Sequence, residues 1–319
     1  MERDLNLDGL KFLMIFCVVL GPMHYRDFAI TKNIIYSFHM PVFIFLSGYF
    51  TSPTTSKEKQ VKWMKKTFLI YFWAQLGHLL LAFLLGLLDQ ALHRLPSDDT
   101  MITWNDLVRP RYALWYLVCL IYWRWAVWKI PSKTNDILLF AGSIALALLA
   151  GFIPLGHEFT FQRAFAFLPF FIAGFIVRKR GLMQKLKLLP MTRGCAGLVL
   201  GFLLALCMPI YMPKNQYVNF HDLPIRLMQT ALGFYLCLLI VGVCRFHAVR
   251  RLAKYGSYTL WIYIGHTYLI VLGNHVFPLL HISLKSYFAI VLALVYCVLF
   301  IIMANLYRHS ILGKGHGSV

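Results

Sequence analysis

Ionisable side chains lie at both ends of the first apolar stretch of the chain. Asp8 and Lys11 open the stretch, and Pro22 and His24 close it. A charged side chain near the centre of a bilayer costs roughly 3 kcal/mol, so such a residue is by default a functional candidate. On an ideal helix, Lys11 and position 22 share one face and lie about 16 Å apart. This spacing suits a site that binds an anionic donor substrate at one end of the helix and holds a reacting side chain at the other.

Pro22 occupies the position where a titratable residue would be most useful. Proline neither accepts nor donates a proton, and it removes a helix hydrogen bond. An ideal helix turns His24 away from the face of position 22 by about 200°. His24 therefore takes part in proton transfer only if the helix ends near Pro22, and it is otherwise an interfacial histidine.

A second polar group surrounds His39 in the next apolar stretch. Pro41 follows closely, and proline kinks a helix and frees a carbonyl. His39 then accepts a proton, orients a substrate hydroxyl or bonds a neighbouring helix. Ser47 and Tyr49, further along, favour close helix packing in lipid over catalysis.

The elements that must position these residues are membrane-spanning helices. The chain has 319 residues, of which 60% are hydrophobic and 13% charged, and its mean hydropathy is +0.67. Apolar residues form about ten blocks of about 20 residues, the length that crosses roughly 30 Å of hydrocarbon as a helix. The blocks lie near residues 8–24, 33–50, 67–88, 112–128, 136–155, 163–178, 191–211, 224–244, 256–277 and 286–307. We predict an all-α membrane protein, a polytopic bundle of about ten transmembrane helices.

Basic residues are concentrated on one side of the predicted spans. The formal net charge is +19, and basic segments follow the second, sixth and eighth blocks. Because cytoplasmic loops carry an excess of Lys and Arg, both termini are predicted to be cytoplasmic. The net positive charge then reflects the membrane topology and contact with anionic lipid headgroups of the bilayer, and we expect no nucleic-acid partner. The seven cysteines form no CxxC pair, so we expect no metal site.

The stretch between the third and fourth blocks, about residues 89–111, lies on the predicted outer face. Its charged residues are Asp89, Arg94, Asp98, Asp99, Asp106, Arg109 and Arg111. It either covers an extracytoplasmic opening or is a solvated loop. No stretch between blocks is long enough to enclose a soluble core, so we predict a single membrane domain over 1–319. Residues 57–66 are predicted to form a short interfacial amphipathic segment.

Four stretches with a consistent order and spacing run across nearly the whole chain. They are Asp8-Gly9-Leu10-Lys11; Ser37-Phe38-His39-Met40-Pro41 with Ser47-Gly48-Tyr49-Phe50; Leu168-Pro169-Phe170-Phe171 with Gly174; and Tyr255-Gly256-Ser257-Tyr258-Thr259-Leu260 with Tyr263 and His266. In these stretches the chain resembles the bacterial acyltransferase 3 family of integral membrane acyltransferases. The second stretch is the specific one.

The resemblance implies transfer of an acyl group, usually acetyl from acetyl-CoA, to a hydroxyl or amine of a cell-envelope glycan or lipid-linked acceptor. It implies a multi-pass protein of the bacterial cytoplasmic membrane that uses acyl-CoA as co-substrate. Similar family members carry an essential basic residue in the first span, followed by an essential histidine. Lys11 matches the basic position, and the histidine position falls on Pro22. We therefore predict a loss-of-function form, or a variant that binds without turning over.

The predicted site residues divide into three groups by role. Proton transfer is assigned to His24 and His39, with Pro22 at the place of the expected histidine. Contact with the acyl-CoA donor is assigned to Lys11, Arg163, Arg178 and Lys179. Acceptor binding is assigned to Asp8, Ser47, Tyr49, Trp115 and His266. The alternatives are snorkelling to headgroups for Arg163, topology alone for the basic cluster at 178–180, and packing for the aromatic and histidine side chains.

Two functions without acyl transfer stay open. A transporter or flippase of a glycan-linked or acylated lipid would use the polar residues to line a path. A catalytically silent partner of another envelope enzyme would bind the donor without transfer. Acyl-CoA consumption that depends on His39 favours the enzyme, and substrate movement without acyl-CoA favours the transporter.

Overall fold

The computed structural model describes residues 4–22, 29–53, 56–95, 97, 99–131, 133–153, 158–208, 217, 220, 222–279 and 286–312. Within these ranges, side chains are described except at 29–32, 286–289 and 307–312. Helices and connecting turns make up the described residues, and no β-strand occurs among them. The prediction of an all-α chain is confirmed.

An α-helix covers all or most of each predicted apolar block. The α-helices are α1 Leu5–Leu20, α2 Ala29–Tyr49, α3 Lys57–Ala91, α4 Trp115–Lys129, α5 Asp136–Leu149, α6 Phe161–Lys179, α7 Met183–Leu186, α8 Met191–Cys207, α9 Asp222–Val243, α10 His247–Arg251, α11 Thr259–Leu279 and α12 Ser286–Leu312. Short 3₁₀ helices cover Trp104–Leu107, Tyr112–Leu114, Ala150–Phe152, Glu158–Thr160 and Leu252–Tyr258.

Helix length and apolarity identify a helical membrane protein. Among the described residues, Lys57–Ala91, Glu158–Lys179 and Asp222–Val243 are long and apolar enough to cross a bilayer. Shorter apolar helices cover Asp136–Phe152, Met191–Cys207 and Ile290–Leu306. Large apolar side chains of α3 are exposed, with Trp73 at 64%. Such a surface is stable only where lipid tails cover it.

Two helix boundaries differ from the prediction. α1 ends at Leu20, and the Gly21 N–H donates to the Cys17 carbonyl. Pro22 therefore lies beyond the helix, because its ring nitrogen has no N–H to continue the ladder. The spacing expected between Lys11 and position 22 stays a prediction. Residues 57–66, expected to form a short interfacial amphipathic segment, are the first turns of α3, which no proline interrupts.

The chain forms two compact units. The first unit comprises Met1–Ile35 and Cys244–Val319, and the second comprises Tyr36–Val243. In the first unit, a Cβ on Gly9 would collide with the carbonyl oxygen of Val249. Glycine at this position thus lets α1 approach the backbone of α10 closely. The prediction of one domain over 1–319 stays a prediction.

The second unit is held together by α2 and α6, which meet at two glycines. A Cβ on Gly48 would collide with the Phe171 carbonyl, and one on Gly174 with the Phe45 carbonyl. Reciprocal glycines of this kind let two helix backbones touch, as is common in lipid. Around this contact, the Trp123 indole N–H donates to the Ala164 carbonyl at 2.8 Å and ties α4 to α6. The first turn of α6 is therefore bonded to α4, and its second half packs closely on α2.

Candidate active site

A cavity of about 550 Å³ opens in the second unit, where residues 99–112 meet the start of α6. Its volume lies within the range of about 300–1,000 Å³ that is usual for small-molecule sites. The lining residues are Asp99, Met101, Thr103, Asp106, Arg109, Pro110, Arg111, Tyr112, Thr160 and Arg163. The stretch that the sequence left open as a cover or a solvated loop thus forms one wall of a polar cavity. Arg163, a predicted site residue, lines the same cavity.

Arg111 fixes the shape of this wall. Its Nε lies 3.0 Å from Asp106 Oδ1, its Nη1 donates to the Asp99 carbonyl at 3.2 Å, and its Nη2 donates to the Met101 carbonyl. Thr103 N–H donates to the second oxygen of Asp106 at 2.8 Å. Burial disfavours the charged carboxyl, but the hydrogen bonds from Arg111 and Thr103 outweigh it and lower the pKa of Asp106 below its ordinary value. Arg111 is therefore a structural cation.

Gln75 anchors the same wall to α3. Its Nε2 donates to the Asp106 carbonyl at 2.7 Å and to the Arg109 carbonyl at 3.1 Å. Its Oε1 accepts from the Arg111 N–H at 3.0 Å. The side chain is buried, with 7% exposure. One amide thus satisfies three backbone groups of an irregular segment, which is how a loop is fixed to a helix without water.

Two residues of the wall and one beside it have left-handed backbone conformations. φ is +50° at Tyr112, +60° at Thr160 and +51° at Phe159. A left-handed conformation costs roughly 1 kcal/mol or more in a residue that has a Cβ, so contacts with neighbouring residues must stabilise it. The Tyr112 hydroxyl donates to Asp99 Oδ1 at 2.9 Å, and the Phe159 N–H donates to the Val108 carbonyl at 3.0 Å. Strain of this kind is typical of binding and catalytic sites.

Arg163 connects the cavity to further residues of the predicted site. Its guanidinium lies over the Trp115 ring at 5.3 Å, and that ring stacks on Phe167 at 5.5 Å. On α2, the Tyr36 ring contacts the His39 ring edge-on, with centroids 5.1 Å apart, and His39 is only 4% exposed. The structure therefore places Trp115 beside Arg163, and it places beside His39 a tyrosine that sequence reasoning missed.

The predicted residues toward the C-terminal ends of α2 and α6 form a separate group. Arg178 lies over the Tyr49 ring at 5.7 Å. Lys179 Nζ pairs with Asp136 Oδ1 at 2.7 Å, and Arg180 Nε pairs with Oδ2 of the same carboxylate at 2.5 Å. Ser47 Oγ donates to the Phe43 carbonyl at 2.8 Å and lies 2.5 Å from the Tyr116 hydroxyl. The contacts of the serine are those of helix packing.

The first unit holds the remaining predicted residues. Lys11 Nζ pairs with Asp8 Oδ1 at 3.0 Å, one helix turn away. His266 is fully buried, and its Nδ1 lies 2.7 Å from the Tyr263 carbonyl. Because a carbonyl only accepts, Nδ1 carries the proton, and Nε2 has no hydrogen-bond partner among the described residues. His24 lies outside the described residues.

Comparison with known protein families assigns the chain. A family described as an acyltransferase domain, acyltransferase 3, matches residues 4–306. The chain belongs to the acyltransferase 3 family. The resemblance predicted from four short stretches is thus confirmed over nearly the whole chain, and the protein is a membrane acyltransferase. A search of curated proteins and of solved structures found no match.

The acyltransferase has no evident metal centre in the part of the chain described. No group of three or more His, Cys, Asp or Glu residues there could hold an ion. The polar residues that sequence reasoning missed are Gln75, Tyr36 and Thr160. Gln75 carried a detectable signal, because a lone amide within an apolar span needs partners in the protein. Thr160 carried none, since only its backbone conformation distinguishes it.

Proposed function

We propose that this acyltransferase moves an acyl group, acetyl, from acyl-CoA to a hydroxyl or amine of a cell-envelope glycan or a lipid-linked acceptor. The observation that carries the proposal is the polar cavity beside Arg163. Sugars need convergent donors and acceptors, and its wall supplies carboxylates, guanidinium groups and hydroxyls. The cavity is the acceptor site in this proposal.

In the proposed reaction, the acceptor oxygen or nitrogen attacks the thioester carbonyl carbon. The new bond forms, the carbon–sulfur bond breaks, and the products are the acylated acceptor and CoA thiol. His39, or His24, takes the proton of the acceptor and returns it to the leaving sulfur. Arg163 donates hydrogen bonds to the oxyanion that develops on the carbonyl. Its position over Trp115 holds the guanidinium at the cavity.

The donor sites are assigned by charge. Lys11 and Arg178 contact the anionic CoA in the proposal, with Lys179 as a weaker contact because it is paired with Asp136. We also propose an acceptor contact at Trp115, whose ring lies against Arg163. The proposal keeps four further acceptor contacts that the sequence predicts: Asp8, Ser47, Tyr49 and His266.

The proposed setting is the bacterial cytoplasmic membrane. The chain crosses it about ten times as one domain over 1–319, with both termini in the cytoplasm. Helices over all the predicted blocks and the distribution of basic residues support this topology. Acyl-CoA then approaches from the cytoplasm, and residues 99–112 bind the acceptor on the outer face.

Pro22 limits turnover in the proposal. No side chain at position 22 can act as a base, and α1 ends before it. His39 or His24 then stands in for a base at position 22, and a general base that is not in its best position loses up to about 10²–10⁴ in rate. We therefore expect the unaltered chain to bind its substrates and to transfer acyl groups slowly.

Labelled acetyl-CoA tests the function in purified protein held in nanodiscs, with an envelope glycan fraction as acceptor. Pro22→His is expected to raise transfer by about 100-fold or more. In that background, Arg163→Gln is expected to lower kcat by about 10²–10³, as for removal of an oxyanion donor. Arg94→Gln, which also removes one arginine charge but does not line the cavity, is the control.

Three results would contradict parts of the proposal. Full activity of the unaltered chain with no gain from the histidine would refute the role of Pro22. Equal activity of the Arg163 and Arg94 variants would refute the site. Movement of glycan across a membrane without consumption of acyl-CoA would favour the transporter.

A further inference from the structure

Positive charge is in excess in the cavity of the second unit. Among the described lining residues, three arginines stand against two aspartates. Arg111 is neutralised by Asp106, and its other nitrogens donate to carbonyls of the wall. The remaining carboxylate, Asp99, accepts from the neutral Tyr112 hydroxyl and keeps its charge. Asp99 therefore offsets one of the two remaining arginines, Arg109 and Arg163, and the lining carries a net excess of one positive charge.

Arg109 combines a fixed backbone with an available head group. Its N–H donates to the Asn105 carbonyl at 2.8 Å, and its carbonyl accepts from Gln75 at 3.1 Å. The residue is exposed, and within the described chain its guanidinium makes no ion pair, hydrogen bond or ring contact. A cation placed in this way loses little backbone entropy when it binds an anion.

Arg163 differs from Arg109 in its surroundings. It is half-buried, and its guanidinium faces the Trp115 ring. In the proposed reaction Arg163 serves the reacting carbonyl. Arg109 is left with no role in that reaction, although it lines the same cavity.

We propose that the acceptor glycan carries an anionic group, a carboxylate or a phosphate ester, and that Arg109 binds this group. The planar guanidinium matches either oxyanion with two parallel hydrogen bonds. The excess of positive charge in the cavity favours such an acceptor over a neutral one. This inference rests on the proposed function in that it treats the cavity as the acceptor site.

Binding in the absence of acyl-CoA tests the proposal independently of turnover. The unaltered chain in nanodiscs of zwitterionic lipid is titrated with tetragalacturonate, with phosphorylated maltotetraose and with neutral maltotetraose. An exposed guanidinium and oxyanion pair, discounted for solvent screening, is worth about 1.5- to fivefold in affinity. At least one charged tetrasaccharide is therefore expected to bind that much more tightly than maltotetraose. Which of the two binds distinguishes carboxylate from phosphate.

Matched variants identify the residue. Arg109→Gln is expected to abolish the preference for the charged tetrasaccharide and to leave the affinity for maltotetraose unchanged. Arg109→Lys retains the positive charge but not the planar guanidinium that makes two parallel hydrogen bonds, so an intermediate preference is expected. Arg94→Gln removes an equal charge from the same stretch and is expected to retain the full preference.

Several results would overturn the proposal. They are binding of none of the three tetrasaccharides, equal affinity for charged and neutral ones, or equal losses in the Arg109 and Arg94 variants. A charge preference that depends on Arg109 supports the proposal even if Pro22→His shows no acyl transfer. In that case the proposal of acyl transfer is refuted, and the proposal that Arg109 binds an anionic group is supported.

Discussion

Gln75→Leu is expected to detach the wall of the cavity while leaving the helices folded. The change keeps a side chain of similar size in a buried position of α3 but removes its three hydrogen bonds. The partners left behind are the N–H of Arg111 and the carbonyls of Asp106 and Arg109. Each bond contributes about 0.5–1.5 kcal/mol net, so the wall loses about 2–4 kcal/mol against local opening.

Hydrogen exchange measured by mass spectrometry reports this loss directly. A drop of about 2–4 kcal/mol in opening free energy speeds exchange of the wall amides by a factor of roughly 30 or more. Amides in the middle of α3 and α6 are expected to change little. In the Pro22→His background, KM for the acceptor is expected to rise more than kcat falls, because the wall binds the acceptor and Arg163 does not depend on it.

Gln90→Leu is the matched control, since it makes the same substitution at an exposed position of the same helix. It is expected to leave both exchange and KM unchanged. If Gln75→Leu also left exchange of residues 103–111 unchanged, the amide would not be anchoring the wall. If it instead lowered the stability of the whole protein, its role would be packing of α3.

Three further predictions concern packing and charge. Gly174→Ala forces a methyl group onto a carbonyl of α2, so we expect it to destabilise the protein by about 1–3 kcal/mol or to prevent folding. Gly142→Ala is the control, because open space surrounds that position, and we expect it to be neutral or slightly stabilising. Thermal unfolding measures both. The pKa of Asp106 is lowered, so its ion pair stabilises the wall fully at pH values above 3.8, the ordinary pKa of aspartate, and this stabilisation is lost as the pH falls through the lower pKa of the folded state. Hydrogen exchange of the wall, corrected for intrinsic rates, is expected to quicken only in that acid range. Asp136→Asn removes the carboxylate that pairs with Lys179 and is expected to lower the free energy of unfolding by about 1–3 kcal/mol; an unchanged melting temperature would contradict it.

Local patterns in the sequence predict the helices and some of their contacts. Apolar blocks of membrane-spanning length contain the long helices, because a backbone in lipid must satisfy its own hydrogen bonds. The ion pair of Asp8 and Lys11 follows from helical spacing, since residues three apart lie on one face.

The candidate site depends on contacts between distant segments, which spacing does not encode. The cavity forms because Gln75 binds carbonyls more than thirty positions along the chain. Arg163 of α6 lies over the Trp115 ring only after α4 packs on α6. The pairing of Lys179 with Asp136 likewise joins two helices. Proline chemistry allowed for a helix that ends near Pro22, and α1 does end at Leu20.

Acyl transfer across a sealed membrane tests the central claim most directly. Proteoliposomes carrying the Pro22→His variant receive labelled acetyl-CoA outside, with the envelope glycan enclosed. The account predicts acetyl label on the enclosed glycan, one CoA thiol released for each acetyl transferred, and loss of both signals in the double variant with Arg163→Gln. Glycan that stays unlabelled while acetyl-CoA is intact, or glycan that moves across the membrane without acetyl-CoA, would contradict it.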